Sequence, residues 1–124
     1  MHNGIYRDPD GNLWAGDNQG DWKAVTPLYH IEKGNFYGHP SSLVWDAKWE
    51  GKDPLAFYRD NLEQYNKDRT KAAVEIPHME INRSAGEPME LPRSGSFGPF
   101  AGQLLVPDTN GKRISRVRLE KGNG

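Results

Sequence analysis

The sequence contains no cysteine, and its charges are nearly balanced, with 16 basic and 17 acidic residues. The absence of cysteine excludes disulfide bonds, c-type haem attachment and thiolate metal sites within this segment. Balanced charge does not favour nucleic acid or an anionic membrane surface as a partner. No apolar run approaches the roughly 18 residues that a spanning helix needs. The N-terminal residues lack the basic and apolar parts of a signal peptide.

Residues that form turns are abundant, whereas residues that form a core are scarce. The chain has 14 glycines and 9 prolines, and only 35% of its residues are hydrophobic. This composition is loop-rich and poor in aliphatic side chains for a self-sufficient core. We therefore expect the segment to need neighbouring structure, as a fragment of a larger domain would.

The first informative segment is DPDGNLWAGDNQGDW, at residues 8–22. Residues 8–12 predict a turn, because Asp-Gly tolerates the backbone angles of a tight turn. An EF-hand loop is the alternative, but it would need glycine where Leu13 stands and glutamate where Gln19 stands. Residues 13–15 predict a strand, and residues 28–33 predict the next one, which ends at Gly34.

The middle of the chain changes character and predicts a helix over residues 54–66. Asp53 followed by proline is typical of a helix start. Apolar residues then recur at spacings of three and four, which gives one buried stripe: Leu55, Tyr58, Leu62 and Tyr65. We interpret this helix as an insertion between regions of strands.

The C-terminal part predicts a hairpin after a short strand at residues 72–76. Residues 104–106 predict one strand and residues 113–119 predict its return, and Asn110-Gly111 between them fits a type I′ turn. In the returning strand, the serine, valine and leucine side chains at residues 115, 117 and 119 should share one face. This hairpin and the segment at residues 8–33 both consist of a strand, an acidic turn and a strand.

These patterns predict a mainly β fold, a partial β-propeller of about two blades with a helical insertion. The expected boundaries are residues 1–45 for the first blade region, 46–73 for the insertion and 74–124 for the second blade region. Two strand pairs alone would leave long unpaired edges, which folded proteins avoid. The expected parent is therefore a larger propeller.

Three segments carry a resemblance to a known family: DPDGNLW followed by an acidic loop, NFYGHP, and FGPFAGQLLVPD followed by RISRVRLEKGNG. They resemble the glucose/sorbosone dehydrogenase-like proteins, six-bladed β-propellers of the quinoprotein sugar dehydrogenase superfamily. Within it, the chain is most similar to planctomycete-type membrane-bound dehydrogenase-like proteins. The resemblance implies a periplasmic or secreted protein, pyrroloquinoline quinone and Ca²⁺ as cofactors, and a partner cytochrome c domain in the parent.

The chain departs from the family pattern at two places. Quinone-binding members carry an aromatic residue where this sequence has His39, whereas Tyr37 matches. Members that bind calcium carry an acidic pair where this sequence has residues 24–27, which include no carboxylate. Both departures speak against the same mode of cofactor binding, and the resemblance assigns no catalytic residue here.

The candidate ligand-binding residues lie in predicted loops and carry polar or aromatic side chains. They are Asp17, Asn18, Gln19, Asp21, Trp22, Tyr37, His39, Arg83 and Gln103. Carboxylate and amide oxygens suit a hard cation, so Asp17 and Asp21 are also candidate calcium ligands. His39 is the one candidate general base. The alternative for Asp17 and Asn18 is local backbone capping, and for Arg83 it is a salt bridge to Glu80 or Glu87.

Two functions remain open, together with a third possibility. The first is an oxidoreductase that oxidises a sugar or polyol with a quinone or cytochrome acceptor. The second is a non-catalytic propeller that binds carbohydrate or a protein partner. A calcium-dependent propeller hydrolase is the third.

Overall fold

The computed structural model describes residues 2–18, 24–38, 42, 45, 47, 51 and 53–120, and only the backbone of residues 2, 54, 55 and 58. The chain divides into two compact units, one formed by residues 1–31 and 72–124 and the other by residues 32–71. The first unit contains the seven strands that the described residues form, in two antiparallel sheets.

The first sheet is a four-stranded meander in the order β1, β2, β3, β4. Its strands are β1 (His2–Arg7), β2 (Leu13–Asp17), β3 (Val25–Ile31) and β4 (Val74–Pro77). β1 was not predicted from the sequence, because its glycine and charged residues hide the alternation of a strand. β3 begins earlier than expected and ends before the turn in which the amide of Asn35 donates to the carbonyl of Glu32.

The second sheet has three strands, β5 (Met89–Glu90), β6 (Leu104–Asp108) and β7 (Arg113–Val117). The predicted hairpin of β6 and β7 is present, with Asp108 paired to Arg113. The predicted type I′ turn is wrong, since the non-glycine residue with positive φ in this loop is Lys112, at 52°. The carboxylate of Asp108 accepts hydrogen bonds from the amides of Asn110 and Gly111 and so stabilises a different, longer turn.

The core of the first unit lies where the two sheets pack on each other. Trp14, Leu28 and Ile76 enter it from the first sheet. The connecting segment, residues 78–88 between β4 and β5, adds one alanine, and the second sheet contributes alternate residues of its hairpin. These residues are Ala85, Leu104, Val106 and Val117. The alternating burial along β6 is the period of a strand with one face on the core.

Close approach of the connecting segment to β2 depends on a small residue at Gly16. A Cβ atom there would lie 2.8 Å from the Cβ of Ala85 and 3.1 Å from the carbonyl oxygen of Gly86. The side-chain amide of Asn3 in β1 also donates to the carbonyl of Ala85, at 2.9 Å. The chain between the sheets is therefore held against the first sheet by close packing at Gly16 and by the side-chain hydrogen bond of Asn3.

The second unit contains two short helices, α1 (Pro54–Asp60) and α2 (Leu62–Asp68). The predicted single helix is wrong in this respect, because Asn61 leaves helical geometry with φ −115° and ψ 14°. The side-chain amide of Asn61 donates to the carbonyl of Phe57, at 2.8 Å, which competes with the backbone pattern.

The buried side chains of the second unit also differ from the predicted stripe. Tyr65 is buried as expected, but Leu62 is 39% exposed and Phe57 is buried instead. The side chains of Leu55 and Tyr58 lie outside the described residues. Tyr65 packs edge-on against Phe36 and donates its hydroxyl hydrogen to the carbonyl of Gly38.

The fold is mainly β, as predicted, with two antiparallel sheets of four and three strands. A four-stranded meander followed by a second meander that packs on it fits a partial β fold of about two blades.

Candidate functional site at the ends of β2 and β6

The predicted acidic loop begins where β2 ends. Asp17 is 4% exposed, and its Oδ1 accepts a hydrogen bond from the amide of Asn18, at 2.8 Å. This contact is the local capping that the sequence left as an alternative. Gln19, Asp21 and Trp22, which complete the predicted loop, lie outside the described residues.

Asn18 reaches across to the segment that connects the sheets. Its side-chain amide donates to the hydroxyl oxygen of Ser84, at 3.0 Å. The backbone amide of Ser84 in turn donates to Oδ1 of Asp108, at 3.2 Å. We call Asn18, Ser84 and Asp108 the Ser84 junction, because Ser84 joins the end of β2 to the end of β6.

Asp108 is the charged group of this junction and is 3% exposed. Burial alone would raise its pKa, but backbone amides of Gly111, Arg83, Ser84 and Asn110 hydrogen-bond to the carboxylate and lower the pKa below its ordinary value. Asp108 is therefore an anion that the backbone stabilises. It is poorly suited to act as a proton acceptor near neutral pH.

Asn82 lies behind the junction and is fully buried. Its carbonyl accepts a hydrogen bond from the hydroxyl of Thr26, at 2.8 Å, and its side-chain amide donates to the carbonyl of Pro107, at 3.4 Å. Within the described part of the chain, Oδ1 of Asn82 and Oδ1 of Asn18 are buried acceptors without a hydrogen bond. Two such acceptors beside one junction are suited to donors such as water or a ligand hydroxyl.

Arg83 is the predicted residue that the structure leaves exposed beside the junction. The proposed alternative, a salt bridge to Glu80 or Glu87, is not found among the described residues. Its guanidinium group can therefore donate to an oxygen-rich ligand through its planar fork.

Asp17 and Asp108 occupy corresponding positions in the two sheets. Each is the last residue of the second strand of its meander, and each is buried with a carboxylate oxygen on backbone amides. Sequence analysis identified Asp17 but missed Asp108, Ser84 and Asn82. The likeness between LWAGD and LLVPD is a sequence signal that could have indicated Asp108.

The turn at Asp8 lies at the other end of β2. Oδ1 of Asp8 accepts the amides of Asp10 and Asn12, and Oδ2 accepts the side-chain amide of Asn12 and the indole N–H of Trp14, at 3.0 Å. Burial opposes ionisation, but these hydrogen bonds prevail and lower the pKa of Asp8 to about 2. The carboxylate is occupied as a turn requires, not arranged as a calcium loop.

Gln103 does not join the predicted site. It precedes β6, whereas Asp108 ends that strand, so about 15 Å of extended chain separates them. Its Nε2 donates to the carbonyl of Pro99, at 2.7 Å, and its Oε1 accepts from Arg116, at 2.5 Å. Both ends of its amide group are therefore occupied by structural contacts.

Tyr37 belongs to the second unit and stabilises a turn there. Its hydroxyl oxygen accepts hydrogen bonds from the amide of Glu32, at 2.9 Å, and from the side chain of Asn35, at 3.4 Å. His39, the candidate base, lies outside the described residues.

The described residues do not form a donor set for calcium. No group of three or more histidine, aspartate or glutamate side chains converges among them. Asp17, the described candidate ligand, already accepts the amide of Asn18. Asp21, the other candidate ligand, lies outside the described residues, so the calcium that the resemblance implies stays a prediction.

Comparisons with known proteins found no matching family model, curated protein or solved structure. As for the membrane, none of the described helices is long and apolar enough to cross it.

Proposed function

We propose that this chain is part of a β-propeller of the sugar dehydrogenase type that binds a sugar or polyol at the loop after β2. The observation that carries the proposal is the Ser84 junction, which brings the corresponding ends of β2 and β6 together. Neighbouring blades of a propeller present corresponding loops at one end of the structure. The resemblance of the three sequence segments supports the same architecture.

Hydrogen-bonding chemistry at the junction supports a polyhydroxylated ligand. Asn18 has a buried carbonyl oxygen that can accept a hydroxyl hydrogen, and exposed Arg83 can donate to a hydroxyl oxygen. The predicted loop residues Gln19, Asp21 and Trp22 follow directly in the chain. Trp22 would supply the apolar surface on which a sugar ring packs.

In the first form of the proposal, the parent oxidises this ligand and passes electrons to a quinone or a cytochrome c domain, in the periplasm or outside the cell. His39 is the candidate base for that reaction. In the second form, the propeller binds carbohydrate without oxidising it. The second form is supported by Asp108, because backbone amides hydrogen-bond to its Oδ1 and lower its pKa, so that this carboxylate is not poised as a base.

The test uses the full-length protein that contains these residues. Calorimetric titration with a panel of sugars and polyols measures binding, and dye reduction with added pyrroloquinoline quinone and Ca²⁺ measures oxidation. We expect Arg83→Ala and Asn18→Ala each to weaken binding by about tenfold, because each removes one hydrogen-bonding group. Arg59→Ala, an exposed arginine on α1, is the matched control and should bind as the unmodified protein does.

The outcomes separate the two forms. Binding with dye reduction supports the oxidoreductase, and binding without dye reduction supports the non-catalytic propeller. Absence of binding across the panel, or equal binding by Arg83→Ala and Asn18→Ala, would contradict the proposed site.

A further inference from the structure

Two asparagine–glycine pairs lie within the described residues. Asn3-Gly4 belongs to β1, and Asn110-Gly111 belongs to the turn between β6 and β7. Asparagine is one of the thermally labile residues of proteins. A following glycine leaves its side chain open to attack, because glycine has no Cβ atom and a backbone that adopts many conformations. Among the described asparagines, these two are therefore the most open to chemical modification by their own backbone.

The reaction at such a pair is intramolecular deamidation. The backbone nitrogen of the glycine gives its proton to solvent and attacks Cγ of the asparagine, so that a C–N bond forms. The side-chain nitrogen takes up a proton and leaves as ammonia. Water then opens the cyclic imide at either carbonyl and gives aspartate or isoaspartate. Because the other reacting atoms belong to two adjacent residues, the reaction needs neither a partner nor a further segment of chain.

Tertiary contacts hold Asn3 away from this reaction. Its Nδ2 donates to the carbonyl of Ala85, at 2.9 Å. A Cβ atom on Gly4 would lie 2.5 Å from the Cβ of Glu87, so the backbone of Gly4 is also closely packed. The rotation that brings the nitrogen of Gly4 to the side chain of Asn3 would therefore break contacts between β1 and the connecting segment.

The turn at Asn110 is held differently, by its backbone. The side chain of Asn110 is exposed, and no described group hydrogen-bonds to it. By contrast, the amides of Asn110 and Gly111 both donate to Oδ1 of Asp108, at 3.2 and 2.9 Å. The nitrogen that would attack is thus bound to a carboxylate, and its proton can be lost only when this hydrogen bond opens. The negative charge of Asp108 further disfavours the deprotonated amide.

The same carboxylate requires glycine at residue 111. A Cβ atom there would collide with Oδ2 of Asp108 and would lie 2.8 Å from Nε of Arg113. Asp108 therefore has two opposite effects on the pair. It leaves room only for glycine after Asn110, which makes the pair labile, and it occupies the amide of that glycine, which protects the pair.

We propose that Asn110 is a site of spontaneous deamidation and that Asp108 controls its rate by holding the amide of Gly111. Isoaspartate would lengthen the backbone between residues 110 and 111 by a methylene group and add a second carboxylate beside Asp108. Because Asp108 also accepts the amide of Ser84, at 3.2 Å, the conversion would loosen the Ser84 junction. The loss of ammonia makes this change permanent. The proposal does not depend on sugar binding.

The first test uses the full-length protein without any substitution. Mass spectrometry of tryptic peptides after incubation near neutral pH measures deamidation, with Asn110 on the peptide of residues 94–112 and Asn3 on a separate one. The rate at Asn110 in the folded protein, divided by the rate in urea, should equal the open fraction of the Gly111 amide in hydrogen exchange to within about threefold. Deamidation of the folded protein as fast as in urea would overturn the proposal.

Variants then assign the protection to Asp108. Asp108→Ala should speed deamidation of Asn110 at least about tenfold more than that of Asn3. Asp8→Ala is the matched control, because it removes the other buried turn carboxylate and should speed both asparagines alike, through unfolding of the whole unit. If the two variants speed Asn110 equally, global unfolding governs the reaction and the proposal is wrong.

The converted protein tests the effect on the Ser84 junction. Ion exchange separates it from the unconverted protein, because deamidation adds one negative charge. The amide of Ser84 should exchange faster in the converted form and should stay unchanged in Asn110→Gln that is incubated for the same time. Equal exchange at Ser84 before and after conversion would contradict the link between Asn110 and the junction.

Discussion

The first sheet has four strands, the last of them β4, whereas three strands of the described residues form the second sheet. Both sheets nevertheless end their second strand in a buried aspartate, Asp17 in one and Asp108 in the other. The difference teaches that strand number and loop chemistry are separate features. The aspartates accept amides from the turns that follow them, to which Asp108 adds the amide of Ser84, whereas β4 comes from chain more than 40 residues after β3.

Removal of either turn carboxylate, Asp108 in the second sheet or Asp8 in the first, should give the largest decrease in the free energy of unfolding. Asp108→Ala should lower the free energy of unfolding by about 3 kcal/mol, because the amides of Ser84, Asn110 and Gly111 lose their acceptor. Asp8→Ala should cost about as much, since it leaves the indole of Trp14 unpaired. Urea unfolding measures both values.

The two variants should differ in which backbone amides exchange faster with solvent. Asp108→Ala should speed hydrogen exchange at Ser84 and so weaken the junction between the sheets, whereas Asp8→Ala should affect the turn between β1 and β2. Asp60→Ala, on an exposed position of α1, is the control and should change the free energy of unfolding by less than about 0.5 kcal/mol. Identical exchange patterns in the two variants would contradict separate roles.

Gly16→Val tests how closely the connecting segment must approach the first sheet. The new side chain would meet the Cβ of Ala85 at 2.8 Å, so we expect a loss of about 1–3 kcal/mol in the free energy of unfolding. Gly95→Val is the matched control, because a Cβ atom there has no neighbour within 4 Å. Equal losses at the two positions would show that the loss comes from strand or turn propensity and not from contact between the sheets.

Acid should lower the free energy of unfolding, because it protonates the same two carboxylates. The folded pKa of Asp8, about 2, lies below the ordinary aspartate pKa of 3.8, and the pKa of Asp108 is also lowered. Their stabilisation is therefore complete above the unfolded pKa and is lost as the pH falls from about 4 towards 2. Thermal unfolding across this range should show a steeper decline for the unmodified protein than for Asp8→Asn, and a parallel decline would contradict the assignment.

Arg93→Ala should give the smallest change in thermal stability. The guanidinium group contacts Glu90 of β5 and Asp10 of the first turn, at 2.5 and 2.7 Å, and these hydrogen bonds raise its pKa. Because Arg93 and Asp10 are about half exposed, we expect a change in Tm of only about 2 °C, which high salt should abolish. A larger loss that persists in salt would show that this end of the sheets matters as much as the Ser84 junction.

Much of the fold was accessible to sequence reasoning because it rests on local patterns. Two short strands on either side of Asn110-Gly111 predicted the hairpin of β6 and β7, although not its turn type, and glycine and asparagine at residues 34 and 35 predicted the end of β3. The helix was predicted in place but not its break at Asn61, where a side-chain amide competes with the backbone. β1 was missed because His2, Asn3 and Gly4 do not alternate.

The candidate site was predictable only in part. Asp17 and Asn18 were recognised from oxygen-rich residues at a strand end, and Arg83 from its loop. Ser84 and Asn82 carried no local signal, since an ordinary serine or asparagine acquires its role only when a second sheet packs beside it. Gln103 was predicted for the same site, but β6 places it at the opposite end of the strand from Asp108.

The sequence by itself determined the mainly β character, the turns at Asp8 and Asn35 and the hairpin of the second sheet, because short-range alternation and turn chemistry act within a few residues. Tertiary structure alone decided that β4 crosses back to complete the first sheet, that Gly16 must accommodate Ala85, and that Asn18 and Asp108 meet at Ser84. These contacts join residues distant in the chain, and their free energy comes from packing and desolvation that no local pattern encodes.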